Sequence, residues 1–521
     1  MTKKPRVYLY DSTLRDGAQT STVNFGVRDK IEIAKMLDML GIDYVEGGWP
    51  GANPIDDEFF AALPKLKKSQ FTAFGMTRRN GVSAANDAGL NDLTNSDAKS
   101  ICIVGKTWDF HLEHALHISE KENLAMISES IAHIAKKKKE AMFDAEHFFD
   151  GYKANPKFAL KAIKTAYEAG ARWIVLCDTN GGSLPSEIYN IVKEVTKHIP
   201  GENLGIHCHN DTGNAVANSI AAVEGGVRQI QGTINGLGER CGNANLISII
   251  PTLMLKMGFD VGIDEKHLKN LVKVSHFLDD LLNKERDKFA PYVGKYAFAH
   301  KGGLHVSAVA KNASSYEHIE PEKVGNERQI MVSNQAGRSN IISRLKTIGL
   351  DTEDKIKFSQ ISDLVTQVKD LEAKGYAYDS ADASFEILAK KSLATVPNFF
   401  DMISFRVLDE SGKSSEATIK IRVSGKITMS VAEGNGPVNA LDKALRKALS
   451  RKYPSLKSVR LTDYKVRILT PSDGTEAVTR VQIESSDDKG NKWTTIGVSQ
   501  NIVDASFKAL YDSITYKLMH E

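Results

Sequence analysis

LGIHCHNDTGNA, residues 204–215, is a short apolar run that turns polar and glycine-containing at its C-terminal end. In a β-strand, residues i and i+2 point to one face, so His207 and His209 project together and Cys208 faces away as a packing residue. The paired imidazoles either grip a metal ion or sit satisfied by hydrogen bonds in a polar core. Seven more β-rich runs surround this one. They are RVYLY (6–10), YVEGGW (44–49), FTAFGM (71–76), SICIVG (100–105), EAMFDAEHF (140–148), WIVLCDT (173–179) and RQIQGTING (228–236). Helical patterns lie between them; DKIEIAKMLDMLG (29–41) has apolar residues at 3.6 spacing and ends on Gly41, a C-cap. Eight strands alternating with helices over about 230 residues match the arithmetic of a (β/α)8 barrel, the TIM barrel of the α/β class. A doubly wound sheet is the competing fold.

A barrel predicts that functional residues gather at the C-terminal ends of its strands. Polar, glycine-rich text sits there: DSTLRDGAQ (11–19), EGGWPG (46–51), DAEHFFDG (144–151), CDTNGG (177–182), HCHND (207–211) and NGLGERCGNANL (235–246). Asp16, His207 and His209 offer one carboxylate and two imidazoles, and Asn243 can add a neutral oxygen. That hard and borderline donor set suits a divalent metal ion, Zn²⁺, Mn²⁺ or Mg²⁺, with positions left open for a substrate. Arg15 is a permanently charged fork suited to developing negative charge on a metal-bound oxygen; its plainer reading is a salt bridge at the barrel mouth. Glu146 and Thr179 end the fifth and sixth strands. Thr179 either donates to a substrate carboxylate or caps the helix that follows.

The bulk numbers are those of an ordinary soluble protein. The 521 residues are 41% hydrophobic and 26% charged, with a net charge of +3. That balance argues against phosphate neutralisation, so no nucleic-acid partner is expected. No stretch approaches the roughly 20 apolar residues of a membrane helix, so no membrane partner is expected either. Cys102, Cys177, Cys208 and Cys241 are too few for a disulfide framework and read as reduced thiols of a cytoplasmic protein.

Three domains are expected: a barrel over 1–260, a helical linker region over 261–390 and an α+β domain over 391–521. The linker text is mostly helical but irregular around AFAHKGGLHVSAVAKN (297–312), and 351–375 reads as a solvated linker helix. KKKK at 136–139 reads as the solvated, dipole-complementing end of a helix. The last domain carries an internal repeat. DMISFRVLDE, EATIKIRVSG and KITMSVAEG alternate like strands before the helical GPVNALDKALRKAL. KSVRLTDYKVRIL, EAVTRVQIES and KWTTIGVS do the same before NIVDASFKALYDSI. This (βββα)2 arrangement holds few acid–base residues and fits binding or assembly better than chemistry.

DSTLRDGAQ, HCHNDTGNA and GTINGLGERCGNANL resemble the signatures of the barrel metalloenzymes that join acetyl-CoA to 2-oxoacids. That family includes the isopropylmalate, homocitrate and citramalate synthases and the related hydroxymethylglutaryl-CoA lyases. GNGPVNAL (434–441) resembles the regulatory domain of the isopropylmalate synthases. EGGWPGANPIDDEFF, GKTWDFH, DAEHFFDGYKANP and AHKGGLHVSAV most resemble the long bacterial citramalate synthases, ahead of the isopropylmalate synthases. A lyase and an amino-acid sensor with a silent barrel are weaker alternatives, because the regulatory repeat and the full set of barrel residues are both present.

The resemblance implies condensation of acetyl-CoA with pyruvate to (R)-citramalate, a homodimer, and feedback inhibition by isoleucine at the C-terminal domain. It assigns metal ligation to Asp16, His207, His209 and Asn243, the oxyanion role to Arg15, the oxoacid-carboxylate contact to Thr179 and a catalytic role to Glu146. His305, with Tyr316 nearby, matches the linker histidine that works with Glu146 in proton transfer. Two positions depart from related citramalate synthases. Asp144 stands where an aromatic residue shapes the pyruvate pocket, and Ser307 stands where the shorter members carry an acidic residue.

Overall fold

The computed structural model describes residues 5–331, 338–350, 358–393 and 396–521. Eight parallel strands follow one another round a closed barrel. They are β1 (Tyr8–Asp11), β2 (Tyr44–Gly48), β3 (Gln70–Met76), β4 (Ser100–Lys106), β5 (Glu140–Glu146), β6 (Trp173–Asp178), β7 (Leu204–Cys208) and β8 (Gln229–Gly232). Closure comes from β1 pairing with β8, Tyr8 opposite Gln229 and Asp11 opposite Gly232. The closed ring excludes the doubly wound sheet.

Period-2 alternation divides the strand residues between two cores. Outward residues such as Leu9, Ile206 and Cys208 pack against the helical layer. Inward residues, Tyr10, Tyr44, Phe74, Cys102, Met142 and Trp173, fill the barrel interior. Burying a large side chain of this kind contributes roughly 1.5–3 kcal/mol, so the two layers hold the strand ends at fixed positions. The helix Val27–Leu40 ends as its sequence predicts: Gly41 takes φ 102° and its N–H donates to the Leu37 carbonyl.

KKKK meets the expectation at Lys136, Lys137 and Lys138, which are exposed at and just past the end of their helix, and differs from it at Lys139. The helix Glu120–Lys136 stops at the first lysine, and Lys139 Nζ donates to the carbonyls of Ser96 and Ala98 at 2.8 and 2.6 Å. The last lysine of the run is therefore a fastener between two loops rather than a solvated helix end.

Two compact units divide the described chain. The first extends to Phe298 and takes in Ile319–Arg328; the second comprises Ala299–His318 and Gln329–Glu521. In the second unit GLHVSAVAK is a regular helix, Gly303–Lys311, where an irregular stretch is expected. Of the expected linker helix over 351–375, residues 351–357 lie outside the described residues, and the helix Phe358–Ala373 occupies most of the rest. The terminal repeat is two antiparallel three-stranded sheets, each followed by a helix. Asp401–Leu408, Ser415–Val423 and Lys426–Gly434 precede Pro437–Leu449; Arg460–Ile468, Thr479–Ser486 and Lys492–Ser499 precede Ile502–Met519. Among the described residues no helix is long and apolar enough to cross a membrane.

Candidate active site

The loop after β1 is built by its own side chains. Asp11 accepts from the Thr13 N–H and hydroxyl, each at 2.9 Å, and Thr13 Oγ1 accepts from the Ile234 N–H of the loop after β8. Burial pushes the Asp11 carboxyl up to about 7, against the pull of the Thr13 hydrogen bonds. This brace turns Arg15 and Asp16 over the barrel mouth. Ser12 adds a second, donating to Glu46 and accepting from the Asp16 N–H.

The loop after β8 folds back on β7. Asn210 N–H donates to Gly242 and Ala244 N–H donates to Cys208, so Asn243 lies beside His209. Two glycines make that close approach available. Gly242 takes φ +92° with a would-be Cβ 2.1 Å from the Gly236 carbonyl, and a Cβ on Gly238 would stand 1.9 Å from Asn243 Oδ1.

Asp16, His207 and His209 converge as the notion of a ligand set requires. All three are buried, and one donor atom from each lies within 4.8 Å of the others. His207 Nε2 is 3.2 Å from His209 Nε2 and 3.2 Å from Asp16 Oδ2. His207 Nδ1 is 2.8 Å from Gln231 Oε1, so that nitrogen carries a proton for the amide and Nε2 is the one directed into the cluster. Burial lowers His209 to about 4, with His207 adding to the effect, which leaves it a neutral donor. Burial also disfavours charge on His207, but the hydrogen bond and charge of Asp16 outweigh it and raise this imidazole. Asp16 is held well below the usual carboxylate range: burial opposes its charge, and Arg15 and His207 overcome that.

These residues fit a divalent cation. Two imidazole nitrogens and a carboxylate oxygen face one another out of water, an arrangement with more lone pairs than protons. Asn243 sharpens the fit. Its Nδ2 donates to Asp16 Oδ2 at 2.8 Å, while its Oδ1 is buried without a hydrogen-bond partner. Turning the amide over would bring that orphaned oxygen to the same cluster, a gain only where a cation is held.

Arg15 is locked by Glu46, a fully buried residue of β2. Arg15 Nε donates to Glu46 Oε2 at 2.7 Å, Nη2 lies 3.6 Å from Asp16, and the guanidinium covers the Phe74 ring at 3.9 Å. Tyr10 also donates to Glu46, at 2.7 Å. Asp144 is buried; it accepts from Gln231 Nε2 at 3.0 Å and Cys102 Sγ at 3.1 Å, and burial pushes its carboxyl up. Glu146 ends β5 in an ion pair with Lys106. Thr179 caps no helix; its Oγ1 accepts from the His147 N–H at 2.9 Å. Arg240 closes the rim with a two-pronged pair to Asp211, 2.8 and 3.0 Å, and a bond to the Thr179 carbonyl.

A cavity of about 270 Å³ opens at this mouth, lined by Arg15, Asp16, Asp144, Glu146, Thr179, His207 and His209 among others. His305 and Tyr316 lie in the second unit, their rings stacked at 4.3 Å, with His305 on the helix Gly303–Lys311. Ser307 is on the same helix. Sequence reasoning missed Glu46, Lys106, Gln231, Gln19, Glu239 and Arg240. Glu46 carried a signal, since a carboxylate inside the strand YVEGGW must be paired once the strand is buried on both faces.

The HMGL-like family model matches residues 6–275, the homocitrate synthase post-HMGL domain-like model residues 292–376, and the LeuA allosteric (dimerisation) domain model residues 379–518. An (R)-citramalate synthase of Aquifex aeolicus is 50% identical over 99% of this chain and 98% of its own length. One of Geobacter sulfurreducens is 51% identical over 98% and 97%. This chain belongs to the (R)-citramalate synthase family. By contrast, a probable 2-isopropylmalate synthase of Methanopyrus kandleri is 32% identical over 97% of both chains. The citramalate synthase family is thus separated from that neighbour by a wide margin in identity at equal coverage.

Proposed function

We infer that the chain is an acyltransferase condensing acetyl-CoA with pyruvate and water to give (R)-citramalate and CoA. The observation that carries this reading is 50–51% identity with (R)-citramalate synthases over nearly the whole chain. The convergent Asp16–His207–His209 cluster at the mouth supports it. Asp16, His207 and His209, with Asn243 as a further oxygen, would hold a divalent metal, which when bound would supply Lewis acidity for polarising a ketone.

The chain's own groups do the rest. Arg15, immobilised by Glu46, aims its remaining N–H groups at the negative charge that develops on the keto oxygen. Because Thr179 Oγ1 already accepts from His147, its hydroxyl proton is free to donate to the pyruvate carboxylate. Asp144 lines the pocket where related enzymes carry a larger aromatic residue, and its pairing with Gln231 and Cys102 holds it in place there.

His305 and Glu146, with Tyr316, move the proton of the acetyl methyl group. The methyl carbon then bonds to the keto carbon and the keto oxygen takes up a proton. Water cleaves the thioester, releasing a carboxylate and the CoA thiol. His305 and Tyr316 come from the linker of the second copy in a cytoplasmic homodimer, a compartment consistent with four free thiols. The C-terminal domain binds isoleucine and lowers turnover.

The test is CoA release, read by thiol titration, with pyruvate, 2-oxobutyrate, 2-oxoisovalerate and 2-oxoglutarate in turn, with and without chelator and isoleucine. Pyruvate-dominated, chelator-sensitive release is expected. Preference for 2-oxoisovalerate would move the product to isopropylmalate and overturn the reading.

A further inference from the structure

The other end of the barrel carries a charge imbalance that the condensation does not use. Three arginines stand at the N-terminal rim of the barrel: Arg6 two residues before β1, Arg172 directly before β6 and Arg228 directly before β8. With Lys193 they line a cavity of about 560 Å³, in which Glu202 is the one acidic lining residue. Arg6 is compensated, its Nη2 2.6 Å from Asp43 Oδ1.

Among the described residues the other cations have no such carboxylate partner. Arg172 donates to the Glu202 backbone carbonyl at 2.7 Å and stacks on Trp173 at 3.8 Å. Arg228 donates to the carbonyls of Val223 and Val227 at 3.1 and 2.7 Å and lies over the Phe259 ring at 5.5 Å. Lys193 lies 5.7 Å from the Tyr189 ring. Carbonyls and ring faces supply partial charge only; among the described residues no carboxylate pairs with Arg172, Arg228 or Lys193. Burial alone pulls Arg228 below its ordinary value, with no carboxylate acting on it.

The geometry is built rather than loose. Two aromatic faces hold the Arg172 plane, with Tyr8 at 5.9 Å as the second, and Arg6 covers the same Tyr8 ring at 4.9 Å. Gly201 and Gly226 bring two loops together at the rim; a Cβ on Gly201 would lie 2.1 Å from the Gly226 carbonyl. Planar guanidinium groups fixed in orientation are matched to tetrahedral oxyanions, which accept two parallel N–H bonds.

We propose that this N-terminal cavity is a second ligand site, for a phosphate-bearing small anion, held by Arg172, Arg228 and Lys193. The ligand chemistry is the phosphate group, carried either by inorganic phosphate or by a nucleoside diphosphate that also fills the cavity's volume. N-terminal faces of such barrels contribute stability rather than chemistry, so occupancy raises the barrel's resistance to unfolding by mass action and leaves turnover alone.

The experiment is calorimetric titration of the full-length, Mg²⁺-loaded protein with inorganic phosphate and, separately, with ADP, at constant ionic strength. CoA is left out, because its own phosphates would compete for this cavity; the double arginine variant, whose barrel mouth is unaltered, separates binding here from binding at the mouth. Saturable binding of either probe is expected in the parent. It should weaken at least tenfold in Arg172→Gln/Arg228→Gln and measurably in the single, surface-exposed change Lys193→Gln, while CoA release from acetyl-CoA and pyruvate stays within twofold. ADP binding without phosphate binding would assign the nucleotide as ligand, and the reverse would assign free phosphate. No saturable binding of either probe to the parent, or equal binding by the double and single variants, would overturn the proposal.

Discussion

The upper barrel interior and the C-terminal repeat bury opposite kinds of residue. In the barrel, Ser12, Glu46, Asp144, His207 and Gln231 are all 5% exposed or less, one polar layer stacked beneath the mouth. In the repeat, the strand Ser415–Val423 buries Ala417, Ile419 and Ile421 completely and exposes Glu416, Lys420 and Arg422. Its helix Pro437–Leu449 turns Ala440, Leu441, Ala444 and Leu445 inward. The repeat follows the ordinary economy of an amphipathic sheet and helix. Burying unpaired charge costs several kcal/mol, so the barrel's polar layer persists only because its members satisfy one another and serve a site. Where a fold departs from apolar packing in a connected network, chemistry is the reason to look for.

That contrast can be broken by single substitutions. The largest effect is expected at the triad: His207→Ala should abolish measurable CoA release and remove bound metal, read by turnover and elemental analysis. Retained metal with normal turnover would reduce the cluster to a structural polar core. Next, Arg15→Lys keeps the charge but loses the fork that Glu46 holds. Turnover should fall on the order of 10²–10³-fold with little change in thermal midpoint, by analogy with loss of an oxyanion donor.

Gln231→Leu reaches one shell further. It removes the amide that fixes the His207 proton, so metal affinity should fall about 10–100-fold by competition with a chromogenic chelator, with the fold intact.

The smallest effect belongs to the repeat and runs the other way. Asp512, on the helix Ile502–Met519, accepts from Ser384 of the helix Asp382–Ser392 at 2.7 Å, and burial pushes its carboxyl from 3.8 up to about 6. The folded state therefore binds this proton more tightly than the unfolded state does. Its stabilising contribution is present below about pH 4 and is lost as pH rises through about 6. Asp512→Asn should accordingly stabilise the C-terminal transition by about 3 kcal/mol at pH 7.5 and by about 1 kcal/mol at pH 4.5, measured as a midpoint shift. Equal shifts at both pH values would contradict the burial argument.

Much of the architecture was legible because local pattern carries it. Eight β-rich runs with polar ends specify a barrel, and the period-2 face of HCH specifies that His207 and His209 converge. The strand–strand–strand–helix text of the last domain is likewise read directly. What stayed hidden depends on closure. Glu46 meets Arg15 across 31 positions because β2 lies beside β1, and Gln231 meets Asp144 across 87 because both point into one interior. Lys106 finds Glu146 only through the β4–β5 register. The text around His305 reads as irregular, but Gly302 sits at the N-cap of a regular helix, where glycine does not interrupt it.

The most direct test of the account is to measure bound metal and CoA release on one full-length preparation, before chelation, after chelation and after a divalent ion is restored. The account predicts a single tightly bound ion per chain, loss of pyruvate-dependent release as it leaves, and recovery as it returns. Undiminished release from metal-free protein would contradict it.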